Sequence, residues 1–157
     1  MKSNTVKTFK SLSYKSILFL ALCGWGHCTT LYAEDGLQTL LPSDISWEQR
    51  RIGPDVYFAA IYGDPAQPGP YAFRVRAQAG HRLAAHTHAD ERTVTVLSGT
   101  YWTAVGEVFD KDKLQAFPAG SFYVIPAGVP HFSAVLDGEV EFQEAGVGPS
   151  SHELVKK

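Results

Sequence analysis

Cysteine is almost missing from this chain. Its 157 residues hold two, Cys23 and Cys28, and both fall before residue 34. Beyond that point no thiol remains for a disulfide, a sulfur-ligated cluster or a cysteine nucleophile. Long apolar runs are missing as well. Ile17–Leu22 (ILFLAL) is followed directly by Cys23-Gly24 and falls far short of the roughly 20 residues a membrane-crossing helix needs. Positive charge is scarce: 14 basic residues stand against 16 acidic ones. No basic run interleaved with aromatics occurs, which argues against nucleic acid or anionic lipid as a partner. No sustained helical period, Ser-His-Asp order, phosphate-binding glycine loop or Cys-x-x-Cys spacing is found.

What is present begins with a leader. Lys2, Lys7, Lys10 and Lys15 precede the short apolar run, and Leu31-Tyr32-Ala33 leads into Glu34-Asp35. This order predicts a secretory signal peptide over 1–33, cleaved after Ala33, with a periplasmic or secreted product and no stable membrane anchor afterwards. Leu22 is bulky where a lipoprotein signal before Cys23 takes a small residue. Cleavage would remove four of the 14 basic residues and none of the 16 acidic ones, leaving a net charge of −6 on 124 of the 157 residues. That length suits one small domain.

The rest of the chain reads as short β-runs punctuated by glycine and proline. Strands are expected at 56–62, 71–77, 83–88, 93–97, 100–105, 122–125, 132–136 and 140–143. Residues 63–70 (GDPAQPGP) form a loop, 110–114 one helical turn, and 137–138 a hairpin turn. Tyr71, Phe73 and Val75 face inward and Arg74 and Arg76 outward. Many short strands at this spacing predict an all-β sandwich or barrel, with an N-terminal extension over 34–54, the barrel over 55–147 and a loose tail over 148–157.

Two segments carry chemistry. In GHRLAAHTHADERTVTVLSG (80–99), His86 and His88 are two residues apart, so on a strand they share a face and can hold one metal ion. In GSFYVIPAGVPHF (120–132), Pro126 and Gly128 shape a turn that aims His131. Here the chain resembles the cupin superfamily, whose motifs have the forms G-x5-H-x-H-x(3–4)-E-x6-G and G-x5-P-x-G-x2-H-x3-N. Gly80, His86, His88 and Gly99 match the first motif; Gly120, Pro126, Gly128 and His131 match the second. The resemblance covers residues 55–147 and is narrowest to small single-domain cupins. It implies a single-domain jelly-roll-type β-barrel, metal ligation by His86, His88 and His131, and a homodimer. Three neutral imidazoles suit Fe, Mn, Ni, Cu or Zn alike.

Two positions depart from the pattern. Val135 stands where the family has asparagine. Counting back from Gly99 by the family spacing reaches Arg92, not Glu91, and strand parity agrees, since Arg92, Val94 and Val96 share a face. Either a bulge turns Glu91 inward as a fourth ligand or the three histidines make up the set; the three-histidine reading is the one preferred. Arg92 is then a clamp for a substrate anion or a partner of Asp90, Glu91 or another rim acid. His81 is expected at a turn with its ring on the opposite face, His152 in solvent, and Gln143 either at the cavity wall or exposed. Open coordination positions suit a metal-dependent enzyme on a small organic molecule, dioxygenase-like first and isomerase next. The alternative is a non-catalytic periplasmic module that binds or senses a metal or small ligand.

Overall fold

The structure is a computed structural model and describes residues 32–34, 36–49 and 55–156. The predicted leader lies outside these residues except for Tyr32 and Ala33, and so do Cys23 and Cys28. The described strands are β1 (Tyr32–Glu34), β2 (Leu37–Thr39), β3 (Glu48–Gln49), β4 (Val56–Tyr62), β5 (Gly69–Gln78), β6 (Arg82–Thr87), β7 (Arg92–Ser98), β8 (Thr100–Val105), β9 (Gln115–Pro118), β10 (Phe122–Ile125), β11 (His131–Ala134), β12 (Glu139–Gly148) and β13 (Glu153–Leu154). Among the described residues there is no α-helix, only 3-10 turns at Pro42–Asp44 and Lys111–Lys113.

β1 and β2 form a small hairpin. The other strands make two antiparallel sheets, ordered β10-β7-β12-β5-β4-β3 and β13-β6-β11-β8-β9. Alternation decides which side chains lie between them. On β5, β7 and β12 the buried positions include Tyr71, Val75 and Ala77, then Val94 and Val96, then Val140 and Phe142. Tyr101 on β8 stacks on Phe142 at 4.3 Å between ring centroids and joins the two sheets. Full burial of each large apolar side chain contributes about 1.5–3 kcal/mol, so this interior holds the sheets together. Gly99 makes the β7–β8 turn with φ 70°, a conformation costly for other residues. A side chain there would also run into the carbonyl of Glu139.

Several local expectations change. The helical turn is the 3-10 turn at Lys111–Lys113. β9 is an additional strand; it lies at a sheet edge, where Pro118 is tolerated. The tail expected to be loose is ordered instead. β12 continues to Gly148, β13 pairs with β6, and Val155 donates to the Ala85 carbonyl at 2.9 Å.

Candidate metal centre

The two histidine segments meet through sheet pairing. β11 runs antiparallel to β6 in a register that sets His131 opposite His86. Gly128, at φ 73° in the turn before β11, donates its N–H to the His88 carbonyl at 2.8 Å. The proline–glycine turn is thereby tied to the first motif and delivers His131 beside it. All three imidazoles are buried, and one nitrogen from each lies within 4.8 Å of the others. Their ring centroids are 4.8 Å apart for His86–His88, 4.2 Å for His86–His131 and 5.1 Å for His88–His131.

The protonation state suits a metal. Burial, reinforced by the His131 charge, pushes His86 down to about 3. Burial and then the Arg92 charge push His88 down to about 4. Burial lowers His131 also. Each ring is therefore neutral near pH 7. The Nδ1 atoms sit against carbonyl oxygens: Ala84 for His86 at 2.8 Å, Val129 for His131 at 3.0 Å, and Ser151 for His88 at 2.6 Å. A carbonyl only accepts, so Nδ1 donates in each case and Nε2 keeps its lone pair. Three oriented, neutral Nε2 donors fit a divalent transition metal, and the carbonyls play the orienting part that metal-bound histidines need.

Glu91 is exposed and lies outside this cluster. Arg92 points inward as its parity requires, 4% exposed. One terminal nitrogen donates to Glu144 at 2.7 Å, and the other to Asp90 at 3.1 Å and to the Ser150 hydroxyl. Both ends of its fork are thus engaged by the protein, while its buried Nε has no partner among the described residues. Tyr71 donates to Asp90, and burial together with that bond raises the Tyr71 hydroxyl to about 12. Burial pushes Asp90 up, but bonds from Ser150 and Tyr71 and the Arg92 charge outweigh it and hold the carboxyl below its usual range. Glu144 shows the reverse balance: burial raises it more than Arg92 lowers it.

A cavity of about 380 Å³ opens beside the cluster. Phe58, Phe73, Val75, Tyr101 and Phe142 supply its apolar wall; His86, His88, Arg92 and Glu144 supply a polar one. One residue stands differently from expectation. His81 lines this cavity rather than facing away. His152 is exposed, as expected, yet its ring also packs on His86 at 4.4 Å between ring centroids. Of the two places open to Gln143 it takes the outer one, bonded to Arg74 at 3.2 Å, and its neighbour Glu144 is the inward residue. Glu144 shares parity with Val140 and Phe142, a signal that could have singled it out.

Comparison with solved structures identifies this architecture. The polyketide cyclase RemF from Streptomyces resistomycificus superposes with a TM-score of 0.65 at 15% identity, over 77% of this chain and 87% of that one. An RmlC-like cupin from Shewanella frigidimarina superposes with a TM-score of 0.56 at 14% identity, over 69% and 87%. This chain has the cupin fold. A variant of salicylate 1,2-dioxygenase from Pseudoaminobacter salicylatoxidans, solved with gentisate, shares the cupin barrel with a TM-score of 0.54 at 13% identity, over 68% of this chain and 31% of that one. No family model and no curated protein matches the sequence. Cupins of this shape thus include a cyclase and a dioxygenase, and at these identities the likeness concerns the fold alone.

Proposed function

We propose that this protein is an exported cupin that binds a divalent transition metal through His86, His88 and His131 and acts on a small organic molecule in the adjoining cavity, as a dioxygenase-like enzyme. The observation that carries this reading is the convergence of three neutral imidazoles, each with Nδ1 engaged and Nε2 free, two of which, His86 and His88, line the wall of a largely apolar cavity. A metal held by three protein ligands keeps positions for substrate or O2 and supplies Lewis acidity or electron transfer there. The chain's own residues do the rest. Phe58, Phe73 and Phe142 hold an apolar body and exclude water; His81 and Glu144 offer polar contacts at the wall.

Arg92 serves here as a tie between β7, β12 and the tail, since an anion clamp would have to displace Asp90 or Glu144. Export rests on the leader pattern. A homodimer is supported by Phe122 and Val124, which lie exposed on the free edge strand β10. A second reading, a non-catalytic binding module, is favoured by the way Arg92 binds both Asp90 and Glu144, which leaves no unengaged buried carboxylate beside the imidazoles among the described residues.

The test is metal analysis of protein purified without a histidine tag, expected to give about one ion per chain, with loss in His86→Ala and His131→Ala. Wild-type protein without metal after reconstitution, or variants with full metal, would overturn the metal reading. O2 uptake by the Fe(II) form with dihydroxylated aromatic probes then separates the two functions: uptake supports the oxygenase, and tight binding without uptake supports the module.

A further inference from the structure

The three orienting carbonyls are not equivalent. His86 and His131 each use the carbonyl two residues earlier in their own segment. His88 uses that of Ser151, 63 residues away in the C-terminal segment. That segment is fastened beside the cluster at several points. Ala89 donates to the Ser151 hydroxyl at 3.1 Å, Glu153 and Leu154 pair with Thr87 and His86, and Val155 donates to Ala85. Between these fastenings stands His152. Its ring lies 4.4 Å from that of His86 and 5.6 Å from that of His88, and it lines the same cavity.

The first of these spacings falls within the cluster's own range of 4.2 to 5.1 Å, and the second, 5.6 Å, lies beyond it. Imidazoles sharing one ion, with each nitrogen about 2.1 Å from it, have centroids roughly 4.5–5.3 Å apart for ligand angles between square and tetrahedral. We infer that the C-terminal segment is part of the metal centre: it supplies the acceptor that orients His88 and a fourth imidazole, His152, for the ion. His152 is stacked on His86 at an interplanar angle of 20°, so its engagement takes a side-chain rotation. The ion would then join β6, β11 and the tail, and by linkage metal binding and tail docking favour each other. This inference rests on the metal reading above.

The experiment titrates Co2+ into untagged wild-type protein, His152→Phe and Val155→Pro. The phenylalanine keeps a ring over His86 but has no nitrogen; the proline removes the N–H that fastens the tail to Ala85. His152→Phe should weaken Co2+ binding about tenfold or more and change the visible spectrum of the bound ion. Val155→Pro should weaken it at least as much, because the His88 acceptor is loosened too. In wild-type protein Zn2+ should slow hydrogen exchange in residues 149–156, and in His152→Phe that protection should shrink. Wild-type affinity and spectrum in His152→Phe would overturn the fourth imidazole. Wild-type affinity in a folded Val155→Pro, with no Zn2+ protection of 149–156, would overturn the role of the segment; if Val155→Pro does not fold, the exchange measurement decides. Absence of binding in wild-type protein is a separate result and would overturn the metal reading itself.

Discussion

The six-stranded sheet carries an arginine–carboxylate cluster on each face. Inside, Arg92 on β7 engages Asp90 and Glu144, with side-chain exposures of 5%, 4% and 14%. Outside, Arg74 and Arg76 on β5 engage Glu139 and Glu141 on β12 at 2.9 to 3.6 Å, with the arginines 27% and 36% exposed. Arg76 also lies over the Trp47 ring at 4.2 Å. Composition does not separate the two clusters; the face does. Water reaches the outer arginines and Glu139, 45% exposed, and screens their pairs, although Glu141 is only 16% exposed. The inner pairs have no such screening, so removal of one member strands a buried charge. The inner cluster is therefore the costlier to disturb, and it links β7, β12 and Ser150 of the tail beside the three-histidine cluster.

The largest expected effect comes from breaking the inner cluster. Arg92→Ala should destabilise by about 3–5 kcal/mol, seen as a lowered midpoint in urea unfolding. A loss below about 1 kcal/mol, the size found for exposed ion pairs, would mean that the two faces are equivalent. Acid should act next, through the buried imidazoles. His86 and His88 fall to about 3 and about 4 in the folded protein, against about 6.5 when unfolded. The unfolded chain therefore takes up protons first. Stability of the metal-free protein should be complete above about pH 6.5 and decline as pH falls toward 4 and 3. Asp90 adds to that loss at the acid end, whereas the raised Glu144 opposes it. Thermal melts across pH 4–7.5 on wild type and His86→Gln would check this: the variant should show a shallower slope.

A smaller effect is expected from Gly146, which lies opposite Arg92 in the β12–β7 pairing. A Cβ there would come within 2.7 Å of the Tyr71 hydroxyl and 2.8 Å of the Asp90 carboxylate. Gly146→Ala should cost about 1–3 kcal/mol by crowding the inner cluster, measured in the same urea titration. The smallest effect belongs to the outer face. Glu141→Gln should change stability by about 0–1 kcal/mol and shrink further in 1 M salt. An outer-face loss as large as that of Arg92→Ala would dissolve the contrast.

Much of the barrel is legible in the sequence. The runs at 56–62, 100–105 and 122–125 appear with the expected bounds, because alternation and glycine–proline punctuation act over a few residues. Strands β9 and β13 are not legible there. Their pairing comes from sheet edges, and a two-residue strand such as Glu153–Leu154 has no periodicity to detect. The histidine pair and the turn before His131 are visible as motifs. The parity that turns Arg92 inward is visible too, though its partners are not: Asp90 is close in sequence, while Glu144 and Ser150 lie 52 and 58 residues away.

By itself the sequence determined the β-rich character, the inward sets on β5 and β7 and three histidines in two motifs, because a strand's period of two is a local property of the backbone. Only the tertiary structure decided that His131 lies opposite His86, that Ser151 serves His88 and that the tail brings a fourth imidazole alongside. These follow from sheet register and edge pairing, which join residues far apart in the chain. It also decided which arginine cluster matters more, since the energy of a charge depends on whether water can reach it.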